Sequence, residues 1–259
     1  MAAADIARVA EWVLAADRIA VLTGAGLSTA SGIPGFRSTA GIYATRASEK
    51  VFDIELFRRD PLPFYRFAAW FYPTIAKAQP NAAHTILADW ERGGKRIEIA
   101  TQNVDDLHQR AGSLRVYGVH GSWLTSRCLK CSKVWKTADV VFPNLGQNNT
   151  PGFQALEKHI PRCDCGGPLK PEITFFGEDL PPTAWCCAME AMIHAELVLV
   201  LGTSLTVFPA AALPGYRDMN ARLVIINREV TALHADADAV LRGDLPELMQ
   251  QINRRAFQA

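Results

Sequence analysis

Two close cysteine pairs, a glycine-dense turn, a cluster of amides and carboxylates and one histidine are the residues whose type and spacing could do chemistry. Cys128-Leu-Lys-Cys131 has the two-residue gap that lets two thiolates grip one zinc ion, and Cys163-Asp-Cys165-Gly-Gly supplies a tighter second pair. Four thiolates close a tetrahedral shell and leave no position for a reactive water, so such a zinc is expected to be structural, one per chain. His159 could stand in for one thiolate. Cys186-Cys187 sit in a helix-like, Trp-containing stretch and read as core packing.

The glycine-dense stretch Gly24-Ala25-Gly26-Leu27-Ser28-Thr29-Ala30-Ser31-Gly32-Ile33-Pro34-Gly35-Phe36-Arg37 directly follows the apolar run Ile19-Ala20-Val21-Leu22-Thr23. A strand feeding a small-residue turn brings backbone N–H groups close to a pyrophosphate. Thr29 stands where the dehydrogenase fingerprint needs Gly or Ala, so a dinucleotide is expected and ordinary hydride transfer is not. Thr101-Gln102-Asn103-Val104-Asp105-Asp106 follows Ile97-Glu98-Ile99-Ala100, which puts amides and carboxylates at the carboxyl edge of a sheet. An amide there can hold the carboxamide or ribose hydroxyls of a nicotinamide nucleotide. Equally, Asp105 or Asp106 can cap a helix, and both readings stand at this point. Gly202-Thr203-Ser204 and Asn227 are open to the same pair of readings, phosphate- or ribose-facing turn against plain turn chemistry. His120 ends the run Val116-Tyr117-Gly118-Val119; imidazole titrates near neutrality, as a general base must, and a structural histidine is the alternative. His84, after Pro80-Asn81, and His108 read as packing or capping residues, with His159, His194 and His234 on the surface.

The elements that must position these groups alternate along the chain. Strand-like runs at Arg18–Thr23, 97–101, Leu197–Leu201 and 223–227 are separated by helix-like stretches. Near-continuous apolar strands mean burial on both faces, which predicts an α/β, doubly wound, Rossmann-like parallel sheet with a smaller inserted zinc-binding and helical module. The whole of 1–259 reads as one catalytic domain carrying two insertions. Residues 39–80, rich in aromatics with prolines at 61, 63 and 73, predict short helices forming a lid or pocket wall. Residues 122–170 form the zinc module, with a polar, turn-prone excursion over 143–152.

Composition removes several classes. At 259 residues and 49% apolar content there is enough chain for one large core plus a small module. Twenty-seven basic against 26 acidic side chains leave a net charge of +1, which gives no field for holding DNA or RNA. No uninterrupted apolar stretch approaches the ~20 residues that span a bilayer. Asp5, Arg8, Glu11 and Asp17 make the N-terminal segment an amphipathic helix rather than a signal-peptide core, so a cytoplasmic location is expected.

These motifs appear together in one order, from about residue 17 to about residue 245: the Gly24-Ala25-Gly26 turn through Phe36-Arg37, Thr101-Gln102-Asn103-Val104-Asp105, His120-Gly121, the four cysteines, Phe175-Phe176-Gly177-Glu178, Gly202-Thr203-Ser204 and Asn227. With them the chain resembles the sirtuins, NAD-dependent protein lysine deacylases. The resemblance implies NAD as co-substrate, one structural zinc and an acetylated or otherwise acylated lysine in a protein or peptide as the partner. Gly24, Ala25, Gly26, Thr29, Phe36 and Arg37 would line the NAD phosphates and nicotinamide ribose, with Gln102, Val104 and Asp105 closing the nicotinamide end. Gly202, Thr203, Ser204 and Asn227, with Gly243 and Asp244, would hold the adenosine side. Thr174, Phe175, Phe176, Gly177 and Glu178, with Val207, would pair with the peptide backbone as an added strand.

His120 and Asn103 become the catalytic residues. The acyl oxygen would attack the nicotinamide ribose, nicotinamide would leave, and His120 would activate a ribose hydroxyl on the way to O-acyl-ADP-ribose and free lysine. Gly35 stands where sirtuins usually carry Asp, Thr174 where they carry an aliphatic residue, and the second cysteine pair is one residue short of the usual gap. Sirtuins that take acidic acyl groups resemble one another in a Tyr-x-x-Arg pair, and here Ala68 and Phe71 occupy those places, which predicts acetyl and short neutral acyl substrates. A mono-ADP-ribosyltransferase or NAD glycohydrolase, or a non-catalytic NAD- or ADP-ribose-binding module, would use the same pocket.

Overall fold

The computed structural model describes residues 2–37, 41–45, 47–141 and 160–258. Its nine strands among those residues are β1 (Arg18–Thr23), β2 (Arg96–Thr101), β3 (Val116–Gly118), β4 (Gly121–Cys128), β5 (Val134–Lys136), β6 (Leu169–Ile173), β7 (Leu197–Leu201), β8 (Arg222–Ile226) and β9 (Ala239–Leu241). The chain divides into two compact units, one of residues 1–35, 79–119 and 181–259, the other of residues 36–78 and 120–180.

The first unit is built on a six-stranded sheet of order β3-β2-β1-β7-β8-β9 in which every pairing is parallel. Successive side chains of a strand point to opposite faces, and both faces are covered. Ile19, Val21, Ile97, Ile99, Leu197, Leu199, Val224 and Ile226 pack with Val9 and Val13 of the helix Ala2–Ala15, Leu87 of Ala82–Arg92 and Met249 of Leu245–Phe257. The alternate residues Ala20, Leu22, Ala100, Val198, Val200, Leu223 and Ile225 pack with Ala188, Ala191 and Met192 of the helix Pro182–Ile193. Each such Val, Leu, Ile or Met side chain contributes about 1.5–3 kcal/mol when fully buried, so the two-sided core is what holds the strand ends in register. Strands one to three run outward on one side and the last three on the other. The order therefore reverses between β1 and β7, the place where doubly wound sheets open a crevice at the carboxyl ends of their strands.

The second unit contains the three-stranded antiparallel sheet β5-β4-β6 and a helical segment. The prolines at 61, 63 and 73 do not break that segment into short pieces only. Short helices at Ile42–Thr45 and Ile54–Arg59 are followed by a 16-residue helix, Leu62–Lys77, with Pro73 inside it. One face of that helix buries Phe64, Tyr65, Phe67, Ala68, Phe71 and Ile75, and this burial offsets the hydrogen bond that Pro73 removes.

Other sequence expectations change here. Cys186 is exposed and Cys187 half-buried, so the pair is not core packing. The apolar stripe of Pro182–Ile193 runs through Ala188, Ala191 and Met192, and Cys186 lies about 200° round the helix from Ala188. His194 is exposed as expected. His234 is half-buried instead of on the surface, because its Nδ1 accepts the Thr231 N–H at 3.0 Å. His159 and the 143–152 excursion lie outside the described residues, as do parts of the 39–80 and 122–170 segments. Among the described residues, no helix is long and apolar enough to cross a membrane.

Candidate active site

In the first unit, the polar groups singled out from sequence converge on the β1/β7 switch point. Gly24 and Gly26 follow β1, and Gly202 follows β7 with φ +63°. The Gly26 N–H donates to the Gly202 carbonyl at 2.8 Å. A Cβ on Gly26 would lie 2.9 Å from the Gly202 Cα, and one on Gly202 only 2.3 Å from the Leu27 nitrogen. Side chains are excluded by that approach, which leaves backbone lining the turn.

A short hydrogen-bonded chain ties this turn to the loop after β2. The Asn103 amide donates from Nδ2 to the Gly24 carbonyl at 3.1 Å and to Ser28 Oγ at 3.2 Å. A carbonyl only accepts, so the amide orientation is forced, and Oδ1 is the group Asn103 can offer to a ligand hydroxyl. Ser28 Oγ donates in turn to Asp105 Oδ2 at 2.6 Å, while Asp105 Oδ1 accepts the Leu107 N–H at 3.0 Å. Asp105 is thus both a helix cap and a buried anchor of the turn. Burial pushes its carboxyl above the usual range, and the Ser28 and Leu107 hydrogen bonds pull it back. Asp106, with φ +56°, is the left-handed residue just before that helix.

Gln102 Nε2 donates to Thr203 Oγ1 at 2.9 Å, and the same oxygen accepts the Leu205 N–H, so the buried Thr203 side chain closes its own turn. Thr29 Oγ1 donates to the Gly26 carbonyl, and Ser204 pairs with Thr206 at 2.8 Å. Asn227 Nδ2 donates to the Glu229 carbonyl. Asp244 caps the helix Leu245–Phe257 through the Glu247 N–H and pairs with Arg228 at 2.8 Å, directly after Gly243. Ala25, Val104, Ser204, Val207, Asn227 and Gly243 are half-buried at the sheet's carboxyl edge or the loops beyond it.

Two histidines lie beneath this network, and sequence reasoning read them only as caps or packing. His84 Nδ1 accepts the Asn81 N–H in a capping box, and Asn81 Nδ2 donates to the Leu27 carbonyl and to Ser31 Oγ. His108 Nε2 meets Thr23 Oγ1 at 3.2 Å; Thr23 Oγ1 donates to Thr101 Oγ1, which also accepts the Asn103 N–H. The rings lie 4.8 Å apart. Burial pulls His84 down from 6.5 to about 4 and His108 well below its ordinary value, with the charge of His84 adding to the second effect.

A histidine whose folded pKa is depressed is protonated first in the unfolded chain. Its stabilising contribution is therefore complete above pH 6.5 and is lost as pH falls toward 4. For His84 alone this predicts a loss of about 2 kcal/mol between pH 7 and pH 5. Urea unfolding of the wild type and of His84→Gln at the two pH values tests it, and an equal pH dependence in both proteins would overturn it.

In the second unit, His120 is half-buried, and its carbonyl accepts the Thr174 N–H at 2.8 Å where β4 pairs with β6. Thr174 is half-buried and Phe175 buried, while Phe176 and Gly177 are exposed. Both backbone groups of Phe176 are taken, its N–H by the Phe52 carbonyl and its C=O by the Ile54 N–H. The Thr174 N–H and both backbone groups of Phe175 are also engaged, by the His120 carbonyl and by Glu178. Phe36 meets Tyr43, Phe52 and Phe71 at ring distances of 5.5, 6.1 and 5.8 Å. Arg37 pairs with Glu49 and lies over the Tyr43 ring at 5.3 Å.

The four cysteines come together in the same unit, with all four sulfurs within 4.8 Å of one another. Cys128 and Cys165 Sγ lie 3.5 Å apart, Cys131 and Cys163 3.7 Å. Zn–S bonds of about 2.3 Å in a tetrahedron put sulfurs about 3.8 Å apart, so this set fits zinc. The one-residue gap of the second pair is accommodated by Gly167, where a Cβ would lie 2.7 Å from the Cys128 sulfur.

A family model described as the Sir2 family matches residues 24–209. The chain is 38% identical over 246 residues to an NAD-dependent protein deacylase of Thermococcus kodakarensis, a match covering 94% of this chain and 93% of that one. Among solved structures, a Sir2–p53 peptide–NAD+ complex matches with a TM-score of 0.83 at 36% identity, over 96% of this chain and 97% of the other. Sir2Tm bound to a propionylated peptide matches with a TM-score of 0.80 at 36% identity, over 93% and 94%.

Proposed function

The chain belongs to the Sir2 family, and from that premise we propose that it is an NAD-dependent protein lysine deacylase. It removes acetyl and short neutral acyl groups from lysine side chains and yields nicotinamide, O-acyl-ADP-ribose and free lysine. The observation that carries the reading is the Asn103 amide, locked by Gly24 and Ser28 with its Oδ1 left to orient a hydroxyl at the switch point of the sheet.

When bound, NAD would supply an electrophilic ribose carbon with nicotinamide as its leaving group. Backbone at Gly24, Ala25, Gly26 and Gly202 approaches the phosphates, and Thr29, Phe36 and Arg37 complete that side. Gln102, Val104 and Asp105 border the nicotinamide end, Asp105 through Ser28 rather than by direct contact. Thr203, Ser204, Asn227, Gly243 and Asp244 border the adenosine end. With the nucleotide bound, His120 would act as general base toward a ribose hydroxyl, and Asn103 would orient that hydroxyl or a water. Phe36 keeps stray water away from the activated sugar. Thr174, Phe175, Phe176, Gly177, Glu178 and Val207 receive the peptide, and Cys128, Cys131, Cys163 and Cys165 would hold one zinc in a closed four-thiolate shell.

An acetylated peptide with and without NAD tests the reading. Nicotinamide release should match deacylated peptide one for one, and nicotinamide release with the acetyl group untouched would make the protein an NAD glycohydrolase or ADP-ribosyltransferase instead.

The acyl group follows from the helix Leu62–Lys77. Ala68 and Phe71 are buried in an aromatic cluster, Phe71 stacked on Phe67 at 5.1 Å, while Arg66 is on the exposed face. A carboxylate placed against that wall loses its water without a partner, a penalty of several kcal/mol. The expected kcat/KM on a succinyl-lysine peptide is about 100-fold or more below that on its acetyl counterpart. A succinyl value equal to the acetyl value would defeat the claim.

A further inference from the structure

Lys170 is a cation in a place that seldom holds one. It sits on β6, 5% exposed, in the strand that leads directly into the 174–178 segment. Its Nζ donates to the Ile173 carbonyl at 2.7 Å and to the Pro171 carbonyl at 3.2 Å, and pairs with Glu178 Oε2 at 2.8 Å. The Phe175 ring lies 4.1 Å from the same nitrogen. Three donors thus meet three acceptors, and a π face covers the remaining side, which is the condition for keeping a charge out of water. Glu178 Oε2 is shared, because it also accepts the Phe175 N–H at 2.8 Å, and the Glu178 N–H returns to the Phe175 carbonyl at 3.0 Å. Tyr65 donates its hydroxyl to the Leu169 carbonyl and fixes the strand one residue earlier.

The knot therefore touches residues 171, 173, 175 and 178 and encloses the turn at Gly177, whose φ is +90°. None of these bonds reaches a reacting atom. They set the path of the backbone on which an acyl-peptide would lie.

We propose that Lys170, acting through Glu178, is the positioning residue of the peptide-reading segment, and that the Glu178 carboxylate serves this internal clamp instead of contacting the peptide side chains. The inference rests on the reading of 174–178 as the peptide-binding segment. Burial pulls the Lys170 ammonium below its ordinary range while the Glu178 and Glu172 carboxylates oppose the shift, so it is the carboxylate that makes the buried charge tenable. Without the cation, the Ile173 and Pro171 carbonyls and the Glu178 carboxylate lose their common donor, and the turn loses its reason to hold one shape.

The test is a kinetic split on the full-length, zinc-loaded protein. Lys170→Met keeps the apolar stem and removes the charge; the KM for an acetylated peptide should rise about tenfold while the KM for NAD stays within about twofold. Lys170→Arg, which restores a cation, should recover most of the loss. If Lys170→Met fails to fold, Glu178→Gln serves in its place, since Glu178 lies near the surface, and its peptide KM should rise about threefold. Peptide KM unchanged, or peptide and NAD KM raised equally, in a folded variant of an active wild type would overturn the assignment of Lys170. A wild type without NAD-dependent deacylation would instead overturn the reading beneath it.

Discussion

Replacing His120 by alanine is expected to lower kcat for deacylation by about 100-fold or more while the KM for NAD and the folded state stay close to those of the wild type. A general base acts as its proton moves and adds little to ground-state affinity, so the loss should fall on kcat and not on NAD binding. The backbone of His120 contributes to the strand pairing at the start of β4. The carbonyl accepts the Thr174 N–H, and alanine keeps that bond. The half-buried ring leaves no large hole in a core when it is removed. Single-turnover nicotinamide release separates the two halves of the reaction. A base for a ribose hydroxyl is needed after nicotinamide leaves, so release should be slowed far less than deacylation. Equal loss of both would reassign His120 to the first step, and a folded His120→Ala protein with near-normal turnover would remove it from the mechanism.

The parts of this architecture that were legible in the sequence are those with a strong local signature. β1 and β7 coincide with the apolar runs read from sequence, and β2 and β8 differ by one residue at their ends, because strands buried on both faces show themselves as unbroken hydrophobic stretches. β3, β5 and β9, of three residues each, carry too little pattern to be seen. Cys186 was misread for a related reason. Composition says that a stretch is helical and apolar, but the choice of buried stripe depends on which residues face the sheet. At the site, the glycine turn and the Gln102-Asn103 loop were visible as motifs. Their coupling through Ser28, and the histidines under it, were not, since residues 28, 84, 103 and 108 become neighbours only once β1 and β2 are paired. Lys170 gave no signal at all. A lysine between a leucine and a proline looks like a solvated strand residue until the Glu178 carboxylate is found beside it.

Zinc removal is expected to unfold the β5-β4-β6 module and abolish peptide turnover. The module's own core is small: Cys128, Cys163 and Leu169, with Trp135 and Val140 packed against them. So few apolar side chains cannot offset the entropy of ordering the turns at Ser132 and Gly166, both held at positive φ. Structural zinc in comparable four-ligand sites contributes about 10–16 kcal/mol of apparent binding energy, which in such a module is folding energy. The consequence reaches the peptide segment along the chain. Cys128 ends β4, and the other end of that strand, Gly121, is paired with Ile173 of β6 just before Thr174. Protein purified without chelator should carry about one zinc per chain. Cys128→Ser, which removes one of the two buried cysteines of the set, should lose metal and at least about tenfold in peptide kcat/KM. The parallel sheet of the first unit has its own two-sided core, so NAD or ADP-ribose binding should survive in the zinc-free protein. Full activity in demonstrably zinc-free protein would show that the cysteines are incidental, whereas loss of nucleotide binding together with zinc would show that the first unit does not stand without the second.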